Sequence, residues 1–228
     1  MFSADRKCIY IILSVSVFSG VVTWIDAVIH PDYFLKIPIK ILFFLALPML
    51  FFLLHREEAH AFRDLFSPKR EGLRRALLLG LLIYAVILGG YLLTRELFDF
   101  SRVTSSLTEG MGITADNFLY VSLYISLLNS FLEEFFFRGF GFMTLKHYTG
   151  RKFAYVFSSL LFAVYHIGML LDMFQAPILA LLLAGLIAGG CIFSALNEHS
   201  GCIYPSWFAH MFANFAINTV GFLLFRAG

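Results

Sequence analysis

The sequence predicts an all-α protein, a polytopic bundle of about seven membrane-spanning helices. Three observations predict it. Apolar residues make up 60% of the 228-residue chain and charged residues only 14%, with a mean hydropathy of +0.82. Soluble domains hold roughly 45–50% and about 25%, so a water-soluble fold of this size has too little interior for the apolar surface on offer. Apolar stretches also recur along the chain at close to the ~20 residues that a helix needs to cross a bilayer. Finally, Lys and Arg gather in the gaps between those stretches.

The candidate spans are 8–29, 37–54, 76–93, 118–145, 153–171, 177–196 and 203–225. The first follows Arg6 and Lys7 and resembles a secretory leader. It runs to about Ile29 without a small-residue cleavage site, which fits an uncleaved span better. The fourth exceeds one bilayer thickness, so part of it should project beyond the lipid. Polar segments 55–75, basic and broken by Pro68, and 94–117, rich in Ser and Thr, separate the early spans. A further span inside 94–117 would make eight, and a re-entrant or further span there would change the downstream orientation. Residues 1–117 form an N-terminal membrane region, and residues 118–228 carry the intramembrane polar groups.

Orientation follows the excess of Lys and Arg on the cytoplasmic side. The N-terminus and segments 55–75, 138–152 and 197–202 hold twelve such residues, Lys69 and Arg70 among them; the opposite ends hold five, including Lys36 and Lys40. The N-terminus is therefore expected in the cytoplasm, with the chain multi-pass in the cell membrane. A net charge of +2 leaves no footprint for nucleic acid. Cys8, Cys191 and Cys202 form no metal-type pair and read as apolar filler. The partners this implies are the lipid bilayer and a membrane protein or peptide.

Ionisable residues inside spans are expensive and signal function. Glu133, Glu134 and Arg138 lie in the fourth span, His166 in the fifth, and His210 with Asn214 in the seventh. Glu134 and Arg138, four residues apart, share a helix face and can pair. Glu133 is turned about 100° away, which leaves it without a counter-ion and makes it the better candidate base. Phe162 and His166 share a face, as do His210 and Asn214. Glu133 lies 17 residues before Gly150 and His166 lies 16 after it, in a helical hairpin turning near Thr149–Gly150. At about 1.5 Å per residue both sit roughly 25 Å from that turn, level with each other. Asp26 and Asp172 read as interfacial, Phe135, Phe136 and Phe137 as core or lipid contacts, and Glu198 and His199 as loop residues without a role.

These residues form three ordered motifs: E-E-x-x-x-R at Glu133, Glu134 and Arg138; F-x-x-x-H at Phe162 and His166; H-x-x-x-N at His210 and Asn214. The trio resembles the family of CAAX prenyl proteases and bacteriocin-processing enzymes (CPBP, or Abi) over roughly residues 118–216. The resemblance implies an intramembrane endopeptidase in which Glu133 and His166 activate a water while His210 and Asn214 stabilise the oxyanion. Glu134, Arg138 and Phe162 support the site. No cofactor is then required. The residues alone leave zinc open, with Glu133, His166 and His210 as three ligands and one vacant position, although no H-E-x-x-H motif is present. They also leave open a proton-coupled transporter or a non-enzymatic immunity or scaffold protein. Expected substrates are lipid-modified C-termini, bacteriocin-like or pheromone precursors, and membrane-anchored sorting tails.

Overall fold

The structure is a computed structural model, and it describes residues 4–68, 70–96 and 98–227. Lys69, counted above on the basic side, lies outside them. The described residues are helical, without strands. Helix α1 spans Ala4–Ile29, α2 Tyr33–Leu54, α3 Ala59–Leu65 and α4 Arg70–Thr94. A short helix α5 covers 101–110. Helix α6 covers 118–147, followed by α7 Arg151–Leu170, α8 Ala176–Ser200 and α9 Tyr204–Ala227.

Six of these helices are long and apolar enough to cross a membrane: α1, α2, most of α4, α7, α8 and most of α9. The seventh expected span, α6, differs from them in kind. It carries Glu133, Glu134 and Arg138 in its middle, and every residue from 132 to 142 is buried. A helix hidden all round belongs in the centre of a bundle, and α6 is wrapped by α1, α2, α7, α8 and α9. Phe135, Phe136 and Phe137 are fully buried, which settles them as core. Phe136 stacks on Phe44 of α2 with ring centroids 4.3 Å apart.

Helix α6 is not a regular α-helix. Its middle, Glu134–Thr144, is π-helical, and shorter π turns occur at Ile25–Ile29, Leu42–Ala46 and Ile125–Asn129. Widened turns of this kind recur at functional sites. Within the wide stretch Thr144 returns its hydroxyl to the Gly139 carbonyl at 3.0 Å, five residues back.

Small residues set the close crossings, as is usual between membrane helices. A Cβ on Gly190 of α8 would lie 2.9 Å from Ser159 Cβ of α7. Helix α8 ends at Gly201, whose φ of 76° is the left-handed conformation glycine adopts at helix C-termini.

The two ends of the bundle have different chemistry. At one end Lys7 pairs with Glu57 at 2.9 Å and Glu58 at 2.7 Å. Tyr148 also donates to Glu58. Nearby, Lys146, Arg151 and Tyr155 converge on Glu198 at 3.3, 2.8 and 2.7 Å. The four segments expected on the basic side therefore meet at one end. Glu198 and His199 are corrected here: α8 extends to Ser200, so they lie on a helix, and Glu198 ties α8 to the α6–α7 turn.

At the far end two further readings change. Lys36 is buried on α2 and pairs with Asp26 at 2.9 Å. Asp26 is therefore a buried partner and not an interfacial group. Asp172 is exposed and meets His30 at 3.5 Å.

Candidate active site

The α6–α7 hairpin brings Glu133 and His166 to the same level, and α9 adds His210. Glu133 is 2% exposed. Its Oε2 stands 3.8 Å from Nε2 of His166 and 3.8 Å from Nε2 of His210. Three side chains from three helices thus point reactive atoms at one small volume.

The outer nitrogen of each imidazole is committed. His166 Nδ1 donates to the Phe162 carbonyl at 2.7 Å, one turn back on its own helix. A carbonyl only accepts, so the hydrogen is on Nδ1 and the neutral ring presents a lone pair at Nε2. His210 Nδ1 meets Glu134 Oε1 at 2.9 Å. With Glu134 ionised against Arg138, that nitrogen also donates. The sequence reading has His210 offering an N–H to the site; the hydrogen of the neutral ring is instead spent on Glu134. Only the doubly protonated imidazolium carries N–H on both sides.

Glu134 is fully buried and lies 3.2 Å from Nη1 of Arg138, as their spacing predicts. The guanidinium is also fully buried. None of its N–H groups has a well-directed acceptor among the described residues. It lies instead against aromatic faces, 3.9 Å from the Phe162 ring centroid and 5.3 Å from that of Phe193. Arg suits such stacking because its charge is planar and weakly hydrated. Phe162 also meets His166 and His210 edge-on, at 4.7 and 5.7 Å between centroids. One ring therefore touches all three motifs.

Asn214 lies one turn beyond His210 and donates through Nδ2 to the Ile125 carbonyl at 3.1 Å. That bond ties α9 to α6 and leaves the second amide hydrogen available. Ser130 has its hydroxyl donated to the Ser126 carbonyl at 2.5 Å, and Trp207 Nε1 approaches its oxygen at 3.1 Å. It is not set up as a nucleophile.

Sequence reasoning missed three residues. Asn129 donates to Glu133 Oε1 at 2.7 Å, Tyr165 donates to the same oxygen at 3.0 Å, and Lys40 Nζ stands 3.7 Å from it. Glu133 therefore has a counter-ion, contrary to expectation, and it comes from α2. Lys40 had been counted among the charges at a membrane end; it is buried in the interior of the bundle. The spacing of Asn129, four residues before Glu133, was a legible signal. Lys40 had none beyond being a lysine inside an apolar run.

The donor set fits a metal poorly. Among the described residues no group of three or more His, Cys, Asp or Glu side chains is placed to hold one. The Lys40 ammonium also stands where it would repel a cation bound at Glu133.

Residues 115–216 match a family model, Rce1-like, described as Type II CAAX prenyl endopeptidase Rce1-like. The matched segment contains all three motifs, and the match bears out the resemblance read from them. Over this segment, just under half of the chain, the protein is similar to that family, and the match supports a peptidase. With its apolar helices, the protein is a multi-pass membrane peptidase. No curated protein and no solved structure matches the chain.

Proposed function

We propose that the protein hydrolyses a peptide bond of a membrane-associated substrate with a water activated by Glu133. The observation that carries the reading is the convergence of His166 Nε2 and His210 Nε2 on Glu133 Oε2, at 3.8 Å each. That spacing is too long for direct hydrogen bonds and suits one water about 2.8 Å from each group.

The water donates one hydrogen to Glu133 and one to the His166 lone pair. Glu133 takes the proton as the water oxygen bonds to the scissile carbonyl carbon. The carbonyl π pair moves to oxygen, giving the oxyanion. His210, doubly protonated between Glu133 and Glu134, donates from Nε2 to that oxyanion, and Asn214 donates its remaining amide hydrogen. Collapse of the intermediate breaks the C–N bond, and Glu133 returns its proton to the leaving amine. General base and oxyanion donors in a water-poor site are what amide hydrolysis requires.

The substrates of this reading are lipid-modified C-termini, bacteriocin-like or pheromone precursors, or membrane-anchored sorting tails. The protein acts in the cell membrane with its N-terminus in the cytoplasm, residues 1–117 bracing the catalytic region 118–228. No metal takes part.

The test is mass spectrometry of membrane peptides from cells carrying wild type or Glu133→Gln, followed by turnover of the identified substrate by purified protein. Glu133→Gln should reduce turnover about 10²–10⁴-fold while the protein still inserts. Substantial turnover by that variant would end the mechanism. Chelator dialysis should leave wild-type turnover unchanged; a loss restored by zinc would instead make Glu133, His166 and His210 metal ligands.

A further inference from the structure

A lysine inside a membrane span ordinarily extends its ammonium to the interface. Lys40 does the opposite. It is 7% exposed on α2, outside the segment that matches the family model, and points into the bundle. Burying an ammonium costs several kcal/mol unless it is well paired, so its partners are informative.

Lys40 Nζ donates to Asn129 Oδ1 at 2.9 Å, and Asn129 Nδ2 donates to Glu133 Oε1 at 2.7 Å. An ammonium only donates and a carboxylate only accepts. The Asn129 amide between them therefore has one orientation: its oxygen faces Lys40 and its nitrogen faces Glu133. Tyr165 of α7 donates to the same Glu133 oxygen at 3.0 Å, and Lys40 lies 5.3 Å from the centre of the Tyr165 ring. Three side chains on three helices thus hold one carboxylate oxygen. The other, Oε2, lies 3.8 Å from each of the two imidazoles.

We propose that Lys40, acting with Asn129 and Tyr165, is a positioning residue that clamps Oε1 of Glu133, so that Oε2 is the oxygen that takes the proton from water. The inference rests on the proposed role of Glu133 and adds what makes its two oxygens different. In the attack step a water O–H bond breaks, the proton passes to Oε2, and the water oxygen bonds to the carbonyl carbon. Oε1 keeps its three neighbours throughout, so the carboxylate does not rotate between taking the proton and returning it.

The experiment measures kcat and KM per folded molecule, in detergent, on a peptide substrate found as above. Losing one hydrogen bond to a charged group should lower kcat about ten- to a hundredfold in Lys40→Met and in Asn129→Ala. KM should stay within about threefold of wild type, as when an interaction made in the transition state is removed. Because the two residues act through one chain of bonds, Lys40→Met/Asn129→Ala should lose much less than the product of the two single losses. Tyr165→Phe removes one donor with little change in packing, and its kcat should also fall should Lys40→Met fail to fold. A merely structural lysine would lower yield and thermal midpoint and leave kcat per folded molecule alone. Wild-type kcat in Lys40→Met or, where that variant does not fold, in Tyr165→Phe, beside an inactive Glu133→Gln, overturns the clamp. An active Glu133→Gln overturns the site reading beneath it.

Discussion

His210 donates from Nδ1 to Oε1 of Glu134 at 2.9 Å, a bond between residues 76 apart in sequence. It gives the second glutamate a purpose beyond pairing with Arg138. The carboxylate fixes the imidazole so that its other nitrogen turns toward Glu133. Glu134→Gln keeps the shape but replaces a pure acceptor with an amide that can present N–H to the ring and reverse its tautomer. Turnover per folded molecule should drop by about 10²-fold or more. Single-turnover kinetics on purified protein would measure it, and wild-type rates would detach ring orientation from catalysis.

Arg138 predicts a stability effect. Its removal leaves Glu134 ionised in a dry interior, which typically costs about 3–5 kcal/mol. Arg138→Ala should lower both yield and thermal midpoint in detergent. Arg138→Lys restores the charge but not the flat stacking on Phe162, so it should recover only part of the loss. A full recovery with lysine would mean that charge alone matters.

The α7–α8 crossing supplies a packing test with an internal control. A Cβ on Gly190 meets Ser159 Cβ at 2.9 Å and Cα at 3.0 Å, whereas one on Gly185 of the same helix meets nothing within 4 Å. Gly190→Ala should cost about 1–3 kcal/mol through overpacking. Gly185→Ala should leave the thermal midpoint of the purified protein close to that of wild type. Equal midpoints for the two variants would contradict the crossing.

Acid should weaken the basic end through Glu58. Burial pushes this carboxyl up, but hydrogen bonds from Lys7 and Tyr148 outweigh it and hold the group below its ordinary value. A carboxyl depressed on folding contributes stability that is present above the ordinary value, about 4.3, and lost as pH falls through the folded value. Thermal midpoints of wild type and Glu58→Gln should therefore differ at neutral pH and converge well below pH 4.3. A difference that persists in acid would refute the assignment.

Much of the site was legible because helical spacing is rigid. Four-residue separations placed Glu134 on Arg138, and distances from Gly150 of 17 and 16 residues placed Glu133 level with His166. Asn129 obeys the same rule relative to Glu133 but lacks charge, and an Asn in an apolar run draws no notice. Lys40 was legible only as a charge. No pattern along one helix says which neighbour its side chain meets, so it was assigned to a membrane end.

The sequence by itself determined that this chain lives in lipid, that it is helical, and which seven residues form its three motifs. Those properties depend on composition and on spacing within single helices, where the backbone leaves little choice. The tertiary structure decided which nitrogen of each histidine faces the site, which glutamate each contacts, and that α2 supplies the cation beside Glu133. These depend on contacts between residues on different helices up to 93 positions apart, as Lys40 and Glu133 are. Such contacts are fixed only when α6, charged and buried all round, finds the polar partners that lipid cannot supply.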